Sequence, residues 1–88
     1  MNDRKKMTMI SVLEVVEEAS PWAVSEEILV ARCTLRPPKP TATEIAMVCV
    51  ELEQKHKAIS RDVAPVTETV RFASTANAPA ILRALREG

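Results

Sequence analysis

Residues 20–52 read SPWAVSEEILVARCTLRPPKPTATEIAMVCVEL, and this stretch decides the fold. It predicts a short strand at residues 21–24, a helix that begins after Ser25, a proline-rich turn, and a longer helix that begins after Thr41. Ser25 and Thr41 are suitable N-caps because their hydroxyl oxygens can accept hydrogen bonds from backbone N–H groups of the first helical turn. The stretch therefore predicts two capped helices in succession.

The helix after Thr41 is the most strongly periodic segment of the chain. Thr41 and Glu44 have the spacing of a capping box, and the periodicity predicts an end near Lys57. One face carries residues that recur at helical spacing: Ile45, Val48, Cys49, Leu52 and His56. Three prolines in residues 37–40 end the preceding helix and predict an extended, polyproline-like linker.

The flanking segments predict one further helix on each side and a hairpin. The first helix begins between Asp3 and Ser11 and ends near Ala19, because apolar residues recur there at helical spacing. Alternating residues at 58–74 predict a β-hairpin. A last helix is expected after Asn77, which serves as its cap, with a proline in its first turn.

This order of elements resembles a winged helix-turn-helix over residues 8–74. The resemblance implies a mainly α protein with a β-hairpin (α+β), in which three helices, the hairpin or wing, and an additional C-terminal helix form one domain over residues 1–88. It also implies that the third helix faces DNA. The turn between the second and third helices is longer and richer in proline than is usual in that superfamily.

Length and composition limit the possibilities. Eighty-eight residues form one domain. The net charge is zero, with 12 basic and 12 acidic residues, whereas a DNA-binding module usually carries a basic excess. Trp22 and Phe72 are the only aromatic residues, and both are expected in the core. Cys33 and Cys49 are expected to be buried and reduced.

The first interpretation of function is a small DNA-binding transcriptional regulator that acts as a homodimer. The third helix would enter the major groove by its N-terminal half, and flanking cations would bind phosphates. Arg32, Arg36 and Lys39 have no acidic residue between them in the sequence, which predicts a local patch of charge +3. The residues predicted to bind DNA are Arg32, Arg36, Lys39, Thr41, Thr43, Arg61 and Arg71.

The alternative is a winged-helix adaptor or inhibitor that binds protein and not DNA. Residues 45–50 are apolar nearly all round the helix, whereas a helix that reads a groove normally keeps a polar outer face. Exposed residues there would form an apolar patch. The residues predicted for a protein interface are Met47, Val50, Leu82 and Leu85, the last two as a dimer contact on the C-terminal helix.

An enzyme, a cofactor and a metal site are not expected. His56 lies seven residues from Cys49, too far for a catalytic dyad, and these two residues with Cys33 do not form a zinc ligand set at known spacing. The only glycine is Gly88, so a glycine-rich phosphate loop is absent. No apolar run has the length of a membrane span or of a signal peptide, and a cytoplasmic location is expected.

Overall fold

The computed structural model describes residues 3–88, which form an α+β fold of four helices and a three-stranded antiparallel sheet. The elements are α1 (Asp3–Ala19), β1 (Val24–Ser25), α2 (Glu26–Thr34), α3 (Ala42–Gln54), β2 (Ile59–Val63), β3 (Val70–Ser74) and α4 (Ala78–Glu87). All four predicted helices and the predicted hairpin are present. The predicted strand at residues 21–24 is wrong in extent, because only Val24 and Ser25 pair with another strand.

The two central helices begin at the predicted caps. The Ser25 hydroxyl accepts a hydrogen bond from the backbone N–H of Ile28 at 3.3 Å. Thr41 and Glu44 form the capping box, since the Thr41 hydroxyl accepts from the Glu44 N–H at 3.2 Å and Glu44 Oε1 accepts from the Thr41 N–H at 2.9 Å. Asn77 precedes α4 as expected, but its side chain makes no capping hydrogen bond.

The sheet has the strand order β1-β3-β2. Its central strand, β3, places Phe72 opposite both Val24 of β1 and Arg61 of β2. Phe72 is 4 % exposed and lies in the core, as predicted. Trp22 is 77 % exposed, so its predicted role as a core anchor is wrong. The chain at Trp22 is still in the turn that follows α1, where its N–H donates to the Ala19 carbonyl at 2.8 Å.

Helix α1 lies at the centre of the molecule. It packs against α2, α3, α4 and β3, and five of its apolar side chains are fully buried: Met9, Val12, Leu13, Val15 and Val16. An ion pair between Arg86 Nη2 and Glu14 Oε2 at 2.6 Å adds a polar link between α4 and α1. The first and last helices of the described chain therefore share one interface.

The segment between α2 and α3 is a tight turn, and the prediction of an extended linker is wrong. The Lys39 N–H donates to the Arg36 carbonyl at 2.6 Å, which closes a turn around Pro37 and Pro38, whose shared peptide bond is cis. Lys39 has φ 56°, a left-handed conformation that turns the chain away from the extended direction. Pro40 then lies buried ahead of α3.

Helix α3 ends at Gln54, three residues before the predicted end near Lys57. Lys57 has φ 56°, and the Ala58 N–H donates to the Leu52 carbonyl at 2.8 Å. The left-handed conformation of Lys57 reverses the chain direction after the helix, and the Ala58 N–H bonds back to a carbonyl six residues earlier. This reversal leads the chain from α3 into β2.

Candidate functional site: the outer face of α3

The outer face of α3 carries exposed apolar side chains. Met47 is 68 % exposed and Val50 is 52 % exposed, and Ala46 is exposed beside them. These three residues are called the α3 ridge. The inner face is buried as its periodicity predicted, through Ile45, Val48, Cys49 and Leu52. Helix α3 is therefore covered on one side only, and its uncovered side is apolar where a groove-reading helix is normally polar.

A groove lies on each side of the α3 ridge. The α1–α3 groove encloses about 500 Å³ and is bordered by Met47 and by charged residues of both helices. The α2–α3 groove encloses about 380 Å³ and is bordered by Val50 and Ala46. Its lining includes four buried side chains: Leu29, Ile45, Cys49 and Phe72. Helices pack together by fitting the ridges of one into the grooves of the other, so a ridge between two grooves is suited to contact with another helix.

The carboxylates next to the α1–α3 groove are neutralised by cations of α1. Arg4 Nε lies 2.6 Å from Glu44 Oε2 and Arg4 Nη2 lies 2.8 Å from Glu44 Oε1. These hydrogen bonds from Arg4, and then the bond from the Thr41 N–H, lower the pKa of Glu44 to about 2. Lys5 Nζ lies 2.8 Å from Glu51 Oε1, and this hydrogen bond lowers the pKa of Glu51. The groove is thus bordered by two charge-balanced pairs.

Two of the five cations predicted to bind phosphate are engaged inside the chain. Arg36 Nη2 lies 2.8 Å from Glu18 Oε1, and its Nη1 lies 3.7 Å from Glu14 Oε1. Arg71 Nη2 lies 2.5 Å from Asp62 Oδ2, its cross-strand neighbour. The expected patch of charge +3 is therefore wrong, because the charge of Arg36 is balanced by carboxylates of α1. These carboxylates are remote from Arg36 in the sequence and lie beside it because α1 packs against α2.

The other three cations predicted to bind phosphate are exposed. Arg32, Lys39 and Arg61 take part in none of the ion pairs found within residues 3–88. Thr43 is exposed and borders the α2–α3 groove together with Arg61. Thr41 is also exposed, but its hydroxyl oxygen already accepts the capping hydrogen bond. Three of the seven predicted DNA-binding residues are therefore already engaged in contacts within the chain.

The two interface residues predicted on α4 lie against the domain itself. Leu82 is 8 % exposed and belongs to the core, and Leu85 is half-buried and packs on the core. Their spacing places both on the face of α4 that meets α1. Leu82 therefore has little surface left for a second subunit, whereas Met47 and Val50 have most of theirs.

The cysteines are buried and unpaired. Burial is the main cause that raises the pKa of the Cys33 thiol to about 11 and that of the Cys49 thiol to about 12. Within residues 3–88, no cluster of histidine, cysteine and carboxylate side chains is arranged to hold a metal ion. None of the helices in that range combines the length and apolar character required to cross a membrane.

The sequence did not predict that Arg4 and Lys5 form ion pairs with Glu44 and Glu51 of α3. Each lies next to α3 only because α1 packs on it, and the partners Arg4 and Glu44 are 40 positions apart. No local pattern signals such a pair. No protein-family model, curated protein or solved structure matches the chain. Function is therefore inferred from the geometry of the α3 face.

Proposed function

We propose that this chain is a winged-helix-like protein–protein interaction module that binds its partner through the outer face of α3. The observation that carries the proposal is the exposure of Met47 and Val50, 68 % and 52 %, on a ridge between two grooves. Contiguous exposed apolar residues with a polar border are typical of binding surfaces. Methionine adds adaptability, since its flexible side chain fits irregular partner surfaces.

The order of elements supports the winged-helix part of the proposal. Helix α1 is followed by a short strand, two helices and a two-stranded hairpin, and the sheet order β1-β3-β2 brings the short strand beside the hairpin. In that arrangement α3 is the helix used for recognition and the β2–β3 hairpin is the wing. Helix α4 is an addition that packs on α1.

Charge distribution supports a protein partner over DNA. Binding to DNA draws most of its non-specific affinity from unpaired cations placed against phosphates. Here the cations Arg4 and Lys5, which border the same groove as Met47, already neutralise Glu44 and Glu51. The surface around Met47 therefore offers apolar area with balanced charge, which suits the dehydrated centre of a protein interface.

A transcriptional regulator that binds DNA is the second candidate. The observation that favours it is the exposure of Arg32, Lys39 and Arg61 outside the ion pairs of residues 3–88. Removal of one cation that binds a phosphate should reduce the slope of log affinity against log salt by about 0.9. If the chain binds DNA, Lys39→Ala should bind duplex DNA more weakly than wild type, and its salt slope should be smaller by that amount. Met47→Lys removes no cation, so its salt slope should not be smaller than that of wild type.

The test of the protein-binding proposal is affinity capture from the native host with matched variants. Wild type, Met47→Lys, Val50→Glu and Val66→Lys are each immobilised after circular dichroism has shown that they are folded. Val66 is the control because it is 93 % exposed but lies in the wing loop, away from α3. Retained proteins are quantified by mass spectrometry.

The expected result is a protein retained by wild type and Val66→Lys but lost from both α3 variants. Retention that is equal on all four folded baits would refute a binding role for the α3 ridge. Binding of wild type to non-specific duplex at about 50 mM salt, a regime in which basic modules bind strongly, together with loss of that binding in Lys39→Ala, would favour the DNA candidate.

A further inference from the structure

The exposed residues of α3 recur at a regular spacing. Thr43, Met47, Val50 and Gln54 are all exposed, and they follow one another at intervals of four, three and four residues. These are the intervals of the seam of a two-helix coiled coil. The positions between them that face inward are filled by the core residues of α3. Helix α3 therefore carries a complete second seam, the α3 seam, on its uncovered side.

We propose that a second copy of this chain occupies this face, with the two α3 helices antiparallel and Met47 opposite the partner subunit's Val50. This inference rests on the proposed function, since it names the occupant of the same surface. In this register a two-fold axis passes between Met47 and Val50. The interface is then isologous, so each contact occurs twice.

The α3 seam is self-complementary in this register. The offset that sets Met47 opposite the partner subunit's Val50 also sets Thr43 opposite the partner subunit's Gln54. The central pair is apolar, and the outer pair joins a hydroxyl to an amide, which can hydrogen-bond. In the opposite, parallel alignment each residue would face its own copy, and the hydroxyl–amide pair would not form.

Charge also favours a second copy as the occupant. The α1–α3 groove is bordered by the pairs Arg4–Glu44 and Lys5–Glu51, so it carries both signs in equal number. These pairs are closed within the chain, so the groove opposes its own copy with no net charge. The α2–α3 groove is bordered by Arg61, Glu26 and Glu53, none of which takes part in the ion pairs of residues 3–88. A two-fold axis on α3 brings this groove onto its own copy, where Arg61 can pair with a carboxylate of the second copy. Antiparallel helices also oppose their dipoles favourably.

The contact is small, so the association is expected to be weak. Helix α3 has 13 residues and is about 20 Å long at 1.5 Å per residue. Such a helix pair falls at the small end of specific interfaces, and we expect a dissociation constant between about 10 and 100 µM. The dimer should therefore form and dissociate within an accessible concentration range.

Sedimentation velocity across a concentration series tests the proposal. Wild type and the control Val66→Lys should dimerise equally, whereas Met47→Lys and Val50→Glu should each remain monomeric. Mixing the two α3 variants should restore dimerisation. In the mixed dimer one side of the seam joins lysine to glutamate, and the other side joins the native valine to the native methionine. Its dissociation constant should be at least about tenfold lower than that of either variant alone.

The contrary results separate this inference from the proposed function. A wild type that stays monomeric to about 1 mM, far above the expected dissociation constant, overturns the second copy as occupant. If the capture experiment still succeeds in that case, the protein-binding proposal stands with another partner. A dimer that persists in both Met47→Lys and Val50→Glu would refute the α3 seam as the dimer interface. Loss of the dimer in both variants, without recovery when they are mixed, would refute the antiparallel register that sets Met47 opposite the partner subunit's Val50.

Discussion

Replacing Thr41 by alanine should lower the free energy of unfolding by about 1 kcal/mol, the usual contribution of a serine or threonine N-cap. The change removes the hydroxyl that accepts the Glu44 N–H at 3.2 Å. It leaves the reciprocal bond in place, since Glu44 Oε1 still accepts from the backbone N–H of residue 41 at 2.9 Å. The loss should therefore stay near the middle of the range for caps.

Thermal denaturation followed by circular dichroism measures this effect. For a domain of this size, about 1 kcal/mol corresponds to a fall in Tm of about 4–8 °C. Thr41→Ser is the matched control, because serine keeps the capping oxygen and should retain most of the stability.

Two results would refute the reasoning. A Tm of Thr41→Ala within about 1 °C of wild type would mean that the cap contributes nothing measurable, against the usual behaviour of such residues. An equal fall in Thr41→Ser would mean that the loss comes from packing of the threonine methyl group and not from the hydroxyl.

Three further predictions concern the core, the ion pair of α3 and the thiols. Leu52→Ala should lower the free energy of unfolding by about 2–5 kcal/mol in urea denaturation, because Leu52 is fully buried. The hydrogen bond from Arg4 lowers the folded-state pKa of Glu44 to about 2. The ionised Glu44 carboxylate therefore stabilises the folded state fully above its unfolded-state pKa, and this stabilisation is lost as pH falls towards 2. The free energy of unfolding of wild type should exceed that of Glu44→Gln at pH 6 and match it near pH 2. Cys33 and Cys49 should react slowly with iodoacetamide at pH 8 until urea unfolds the chain, since burial raises the pKa of both thiols.

Each of these predictions has a control and a contrary outcome. Leu35 is 79 % exposed, so Leu35→Ala should change stability by less than about 0.5 kcal/mol, and a loss equal to that of Leu52→Ala would contradict the burial argument. A stability difference between wild type and Glu44→Gln that does not change with pH would exclude the depressed pKa. Alkylation of both thiols in the folded protein at the rate seen in urea would show that they are accessible.

The helices were predictable because their signals are local. Ser25, Thr41 and Glu44 lie within four residues of the backbone groups that they cap. Such contacts are fixed by the sequence around them and do not depend on the rest of the molecule. The same holds for the alternation in β2 and β3, where side chains change face at every residue.

The surface around α3 was not predictable in the same way. The ion pairs of Arg4 with Glu44 and of Arg36 with Glu18 join residues 40 and 18 positions apart, and they exist because α1 packs against α2 and α3. Trp22 shows the converse error, since its chemistry favours burial but the turn after α1 leaves it exposed. The exposure of Met47 was one of two outcomes that the sequence allowed, and packing decided between them.

The interface between α1 and α4 has a consequence for synthesis of the protein. Helix α1 is made before α4, residues 78–87, yet the two helices pack together, and Glu14 meets Arg86 across 72 positions of the chain. At a synthesis rate of about 5–20 residues per second, α4 is completed roughly 4–15 s after the part of α1 that it contacts. During that interval the side of α1 that packs on α4 is exposed to chaperones or to another nascent chain. Folding of this domain is therefore expected to finish only after residues 78–87 have emerged from the ribosome.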